Sequence, residues 1–78
     1  MALEHQSDSA LAKAVRKAGS QSAFGRMIGR RQSSVHDWLR DKKPLPAEFV
    51  LKVEAETGIS RHDLRPDIYP REEQDAAA

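Results

Sequence analysis

No cysteine occurs in the 78 residues, which excludes a disulfide framework and thiolate chemistry and fits a reducing compartment. No apolar run approaches the roughly 20 residues that a membrane-spanning helix needs. The first residues, MALEHQSDSA, lack the charged and apolar regions of a signal peptide, so a soluble intracellular protein is expected. Aromatics make up only 5% of the chain, and none is interleaved with basic residues as single-strand binding would require. The three histidines, His5, His36 and His62, stand too far apart for metal-ligand spacing, and there is no H-E-x-x-H, no G-x-S-x-G elbow and no phosphate-binding glycine loop. A chain this small would also struggle to enclose a substrate pocket. No catalytic residue, metal or cofactor is therefore expected.

What the sequence does contain is a two-helix unit from Gln21 to Arg40, QSAFGRMIGRRQSSVHDWLR. Ala23, Phe24, Met27 and Ile28 recur at steps of three and four and define one face of a short helix, which Ser20 caps. Gly29 supplies the left-handed residue of a sharp reversal. A second helix follows over Gln32 to Arg40, with Val35, Trp38 and Leu39 inward and Arg31, Gln32, Ser33, His36, Asp37 and Arg40 on the other face. That outer face offers amide, hydroxyl, imidazole, carboxylate and guanidinium groups on a rigid rod, the inventory that reads base edges in a major groove. Phe24, Ile28, Gly29, Val35 and Trp38 form the core of the motif, because the phase of each aromatic points inward rather than to a base stack.

Net charge is only +1, but it is unevenly distributed. Between Leu11 and Lys43 nine basic residues face two acidic ones, a net of +7, whereas from Pro44 to Ala78 four basic residues face eight acidic ones, a net of −4. The basic segment coincides with the two-helix unit, which predicts a basic front able to approach a polyanion.

Gln21, Gly25, Gly29, Val35 and Trp38, in this order and spacing, resemble the helix-turn-helix of phage Cro and repressor proteins. More narrowly, the run WLRDKKPLPAEFVLKVEAETGISRHDLRPDIYP looks like the small prophage-type Cro/YdaS-like regulators, and the resemblance covers Leu11 to Pro70. It implies an all-α, lambda-repressor-like domain of four to five short helices in the cytoplasm, binding double-stranded DNA as a homodimer on a pseudo-palindromic operator. Two positions depart from the pattern: Gly25 stands where Ala is usual, at an expected cost of about 1 kcal/mol in helix propensity, and Arg30 replaces an apolar residue and is expected to lie outward, towards phosphate.

Base reading is assigned to four residues. Gln32 can pair bidentately with adenine, Ser33 can serve base or phosphate, and His36 can donate to guanine or touch a thymine methyl. Asp37 either accepts from a cytosine amino group or restrains Arg40 or Arg31, with restraint favoured. Gln21 is the phosphate clamp that the resemblance implies at the start of the first helix of the unit. Arg31, Arg40, Lys42 and Lys43, with Arg30 as a weaker candidate, flank the groove as phosphate contacts that add affinity without sequence information.

The flanks read as support. Residues 1–6 show no periodicity; Ser7 or Ser9 caps a first helix with Leu11, Ala14, Val15 and Ala18 inward, and residues 7–70 form the domain. Asp41, Lys42, Lys43 and Pro44 form a polar loop, and Pro46 suits the first turn of a helix with Phe49, Val50, Val53 and Thr57 inward. Ser60 and Asp63 make a capping-box variant for one short turn containing Leu64. Ile68 and Tyr69 need burial, on the domain's own core or on a second copy, and with the last helix they are the expected dimer contact. Residues 71–78, REEQDAAA, read as an acidic disordered tail. Three other readings stay open: an antitoxin-like regulator that also binds a protein partner, a helical protein-interaction module without DNA readout, and a nonspecific architectural binder.

Overall fold

Apolar residues spaced three and four apart recur along the chain, and the segments that carry them are helical in the computed structural model, which describes residues 9–70. The N-terminal segment 1–6, the candidate cap Ser7 and the acidic tail 71–78 lie outside the described residues. Five α-helices follow one another: α1 (Ala10–Ala18), α2 (Gln21–Ile28), α3 (Gln32–Arg40), α4 (Val50–Thr57) and α5 (Arg61–Leu64), with a 3₁₀ turn at Ala47–Phe49. No strand occurs among the described residues. The domain is thus all-α.

Serine side chains open three of these helices. Ser9 Oγ accepts from the Ala12 N–H at 3.1 Å, Ser20 Oγ from the Ala23 N–H at 3.0 Å, and Ser60 Oγ from the His62 N–H at 3.1 Å. Each satisfies a backbone donor that the first turn leaves without a partner. At α5, Glu54 of α4 adds a second cap across the α4–α5 link: its Oε2 accepts from the Arg61 N–H at 2.8 Å while its Oε1 pairs with the Arg61 guanidinium at 3.0 Å. These bonds hold the Glu54 carboxyl below the usual carboxylate range, the Arg61 backbone N–H being the largest cause and its side chain the next.

Helix α1 packs on α2, α4 and α5, and α2 packs on α3. The centre is formed by Val15, Phe24, Val35, Leu45, Val50 and Val53, all fully buried, with Leu11, Ala14, Ile28 and Leu64 around them. Leu45 is the core residue that periodicity misses, because it lies between Pro44 and Pro46 in an irregular segment. Its carbonyl accepts from Arg65 Nη1 at 2.9 Å, and Arg65 is itself held by Asp67 at 2.8 Å. The loop after α3 is therefore anchored at its end by an apolar plug.

Three expectations need correction. Pro46 does not sit in the first turn of α4; its ψ of 140° is extended, and it precedes the separate 3₁₀ turn closed by the Phe49 N–H to the Pro46 carbonyl at 3.0 Å. Thr57 does not extend the apolar stripe, since its hydroxyl donates to the Val53 carbonyl at 2.7 Å and accepts from the Ile59 N–H at 3.2 Å. Gly25 is more than a weak helix former. A Cβ there would stand 2.5 Å from the Arg30 carbonyl oxygen and 3.4 Å from both the Arg31 carbonyl carbon and the Gln32 nitrogen. The reversal at Gly29, which adopts a left-handed φ of 76°, folds the chain directly back over Gly25.

Ile68 and Tyr69 divide. Tyr69 packs against the domain's own core, its ring lies 5.9 Å from the Arg61 guanidinium, and its carbonyl is 2.7 Å from His62 Nδ1. Ile68 remains 41% exposed.

Two measurements check this account. Gly25→Ala should lower unfolding free energy by about 1–3 kcal/mol, the range for overpacking, although helix propensity alone would raise it by about 1 kcal/mol; urea denaturation of the pair reads the sign. Because the Glu54 carboxyl is held below its ordinary range in the folded state, its contribution is present above the unfolded-state pKa and is lost as pH falls through the folded-state one. Stability measured from pH 6 down to pH 3 should fall less steeply for Glu54→Gln than for the parent.

Candidate nucleic-acid interface

The face of α3 that carries the polar residues is the exposed one. Val35 is fully buried and Trp38 and Leu39 are half-buried against the core, which leaves Arg31, Gln32, Ser33, Asp37 and Arg40 exposed and His36 intermediate. Arg31 stands at the N-cap of α3 and makes no capping bond with its side chain. The positive end of the helix dipole and its first-turn N–H groups are thus left without a side-chain cap.

Gln21 and Gln32 meet. Gln21 at the start of α2 is only 8% exposed, and its Oε1 accepts from Gln32 Nε2 at 2.6 Å. The bond fixes the orientation of the Gln32 amide while leaving its Oε1 and a second N–H, one acceptor and one donor, for a partner outside the domain. Gln21, the expected phosphate clamp, is thus buried and hydrogen-bonded to the first residue of α3.

The basic residues expected at phosphate fall into two groups. Arg31, Lys42 and Lys43 are exposed, and none of them joins a salt bridge among the described residues. Arg40 is engaged, 3.3 Å from Asp37 and bidentate to Asp41 at 3.1 and 3.2 Å. That hydrogen bonding is the main reason the Asp41 carboxyl sits below its usual range and the Arg40 guanidinium above its own. Asp37 lies within salt-bridge distance of Arg40 rather than of Arg31. Arg30 is also engaged: it pairs with Glu48 at 3.1 Å and lies 5.2 Å from the centre of the Phe49 ring, which in turn faces Trp38 at 6.3 Å.

Lys13, Arg16 and Lys17 surround Ile59 on the outer side of α1, so these three charges cluster around the α4–α5 link. The basic front read along the chain is accordingly softened in space. Glu48 from the acidic half reaches Arg30, and Asp37 and Asp41 cover Arg40. Sequence reading missed the Arg30–Glu48–Phe49 clasp, whose members lie 18 residues apart and share no periodic signal. The Arg40–Asp41 pair, between adjacent residues, was also not read, since Asp41 was assigned only to the polar loop.

Among the described residues no cluster of His, Cys, Asp and Glu could hold a metal ion, and no helix is long and apolar enough to cross a membrane. Two helices joined by a glycine reversal, the second exposing a polar face on a buried apolar spine, define a helix-turn-helix domain. Residues 11–73 match the family model described as bacterial toxin YdaS, and the chain belongs to that family of phage-type Cro/YdaS-like regulators. It is 38% identical over 52 residues to the Escherichia coli (strain K12) protein named "Putative transcriptional regulator YdaS", an alignment covering 64% of this chain and 53% of that protein. The chain thus spans about half the length of the curated relative it matches. No solved structure matches it.

Removing the donor in Gln32→Ala should lower unfolding free energy by about 1 kcal/mol, the net worth of one such hydrogen bond. Ser33→Ala, one residue on, should change it by less than about 0.5 kcal/mol, as surface substitutions do. Paired denaturation curves distinguish the braced position from the merely exposed one.

Proposed function

We propose that this chain is a sequence-specific double-stranded DNA-binding transcriptional regulator that lays α3 in the major groove and acts as a Cro-like prophage repressor. The observation that carries the reading is the Gln21–Gln32 bond of 2.6 Å, which holds an exposed amide at the first turn of α3 with one donor and one acceptor unspent. Adenine presents the complementary pair, N6–H and N7, at the floor of the major groove. Ser33 and His36 extend the reading face along α3, while Asp37 acts through Arg40. Arg31, Lys42 and Lys43 supply phosphate contacts, with Arg30 and Arg40 held back by Glu48 and by Asp37 and Asp41. The relative's printed name, a transcriptional regulator, supports the same class of role.

One recognition helix reads too few base pairs to be selective among genomic sites, so the mechanism calls for a homodimer on a pseudo-palindromic operator with half-sites about one helical turn apart. Exposed Ile68 is the candidate contact between copies. A second reading is favoured by the family's description as a toxin: the chain would be a DNA-binding regulator that also engages a protein partner.

Selection from random duplex DNA near physiological salt should enrich a two-fold symmetric motif. Gln32→Ala should lose about 1–3 kcal/mol of discrimination at one base position per half-site, the worth of a bidentate contact, with little change at the others. Retention without a motif would reduce the function to a basic surface. Failure to retain any duplex would leave a helical protein-interaction module without DNA readout in its place.

A further inference from the structure

A half-open groove of about 400 Å³ lies where the end of α3 meets the start of α1 and the end of α5. Its apolar lining includes Leu11, Trp38, Leu39 and Leu64, and the neighbouring residues Lys42 and Lys43 line it as well, with Asp63 as the one acidic residue. This volume is within the range of small-molecule sites, which combine an apolar lining with a few polar groups. Lys42 is also the one described non-glycine residue with a positive φ, 56°, a conformation that few such residues adopt. The backbone thus turns sharply at the cationic edge of the groove.

We infer that this groove is a binding site for a small amphiphilic anion, an apolar acyl or aryl body carrying one carboxylate. The body lies against Trp38, Leu39, Leu11 and Leu64, removing apolar surface from water. The carboxylate meets Lys42 and Lys43, two cations that no salt bridge among the described residues engages. Charge complementarity selects an anion over a neutral or cationic amphiphile, and nearby Asp41 is already taken up by Arg40. The site has a consequence that rests on the DNA-binding reading: a head group on Lys42 and Lys43 removes two phosphate contacts from the end of α3, so ligand and duplex oppose each other.

Trp38 is the single tryptophan of the chain, so its fluorescence reports the groove directly and without DNA. Titration of the full chain with decanoate, below its micelle concentration, should change Trp38 emission saturably with one-to-one stoichiometry and an unchanged far-UV circular dichroism spectrum. Decan-1-ol should bind at least several-fold more weakly, and the double variant Lys42→Gln, Lys43→Gln should weaken decanoate binding about tenfold or more. Lys13→Gln with Lys17→Gln, on the other basic cluster, should leave it unchanged. A non-saturating response, equal binding of the alcohol, or equal loss in both double variants would overturn the site. With the site confirmed in this way, saturating decanoate should lower duplex affinity several-fold; an unchanged affinity would overturn the opposition. Absence of duplex binding before any ligand is added would instead count against the functional reading alone.

Discussion

The close approach of the chain to Gly25 is the constraint on which the two-helix unit depends. With a side chain at this position the Arg30 carbonyl would have to move away, because a Cβ would lie 2.5 Å from it. The approach is drawn in from both ends: the Arg30 N–H bonds the Gly25 carbonyl at 2.8 Å, and Gly29 takes the left-handed conformation that turns the chain back. Once that spacing is set, α3 starts beside the start of α2, and the Gln32 amide reaches the buried Gln21 side chain. The orientation of an exposed side chain is thereby fixed by a missing methyl group four residues into the preceding helix.

Around this unit the remaining chain supplies apolar mass and electrostatic ties. Val15 of α1, Leu45 of the proline-flanked loop and Val50 and Val53 of α4 close over Phe24 and Val35. Arg65 pins Leu45 from behind, and Glu54 joins the end of α4 to the start of α5. The Phe49 ring bridges Arg30 of the turn and Trp38 of α3, so the two-helix unit is braced on its outer side as well as from the core. Exposed ion pairs of this type add little stability singly. Their effect here is to decide which guanidinium groups face outward unengaged.

The helix entries at Ser20 and Ser60, the exit at Gly29 and the inward phase of Phe24, Ile28, Val35 and Trp38 were all legible in the sequence, and the first entry was narrowed to Ser7 or Ser9, of which the structure uses Ser9. These features depend on neighbours within four residues, where spacing and capping chemistry determine the outcome. Leu45 was not legible, because a residue between two prolines carries no periodicity, and Pro46 was misplaced because the 3₁₀ turn after it looks like an α-helical entry in composition. At the candidate site the exposed set on α3 could be listed from its phase. The engagement of Arg30 with Glu48 could not, since it depends on where the 3₁₀ turn docks.

By itself the sequence determined the class of the protein: short amphipathic helices, a glycine reversal between two of them, and a polar outer face on the second, all set by local stereochemistry and the burial of apolar side chains. Only the tertiary structure decided which polar groups remain available. Gln21 became a brace, Arg30 and Arg40 were engaged by carboxylates, and Lys42 and Lys43 came to edge an apolar groove between α1, α3 and α5. The physical reason is that charge and hydrogen-bonding capacity belong to residues, whereas their satisfaction belongs to distances, and those distances are set by how the helices pack.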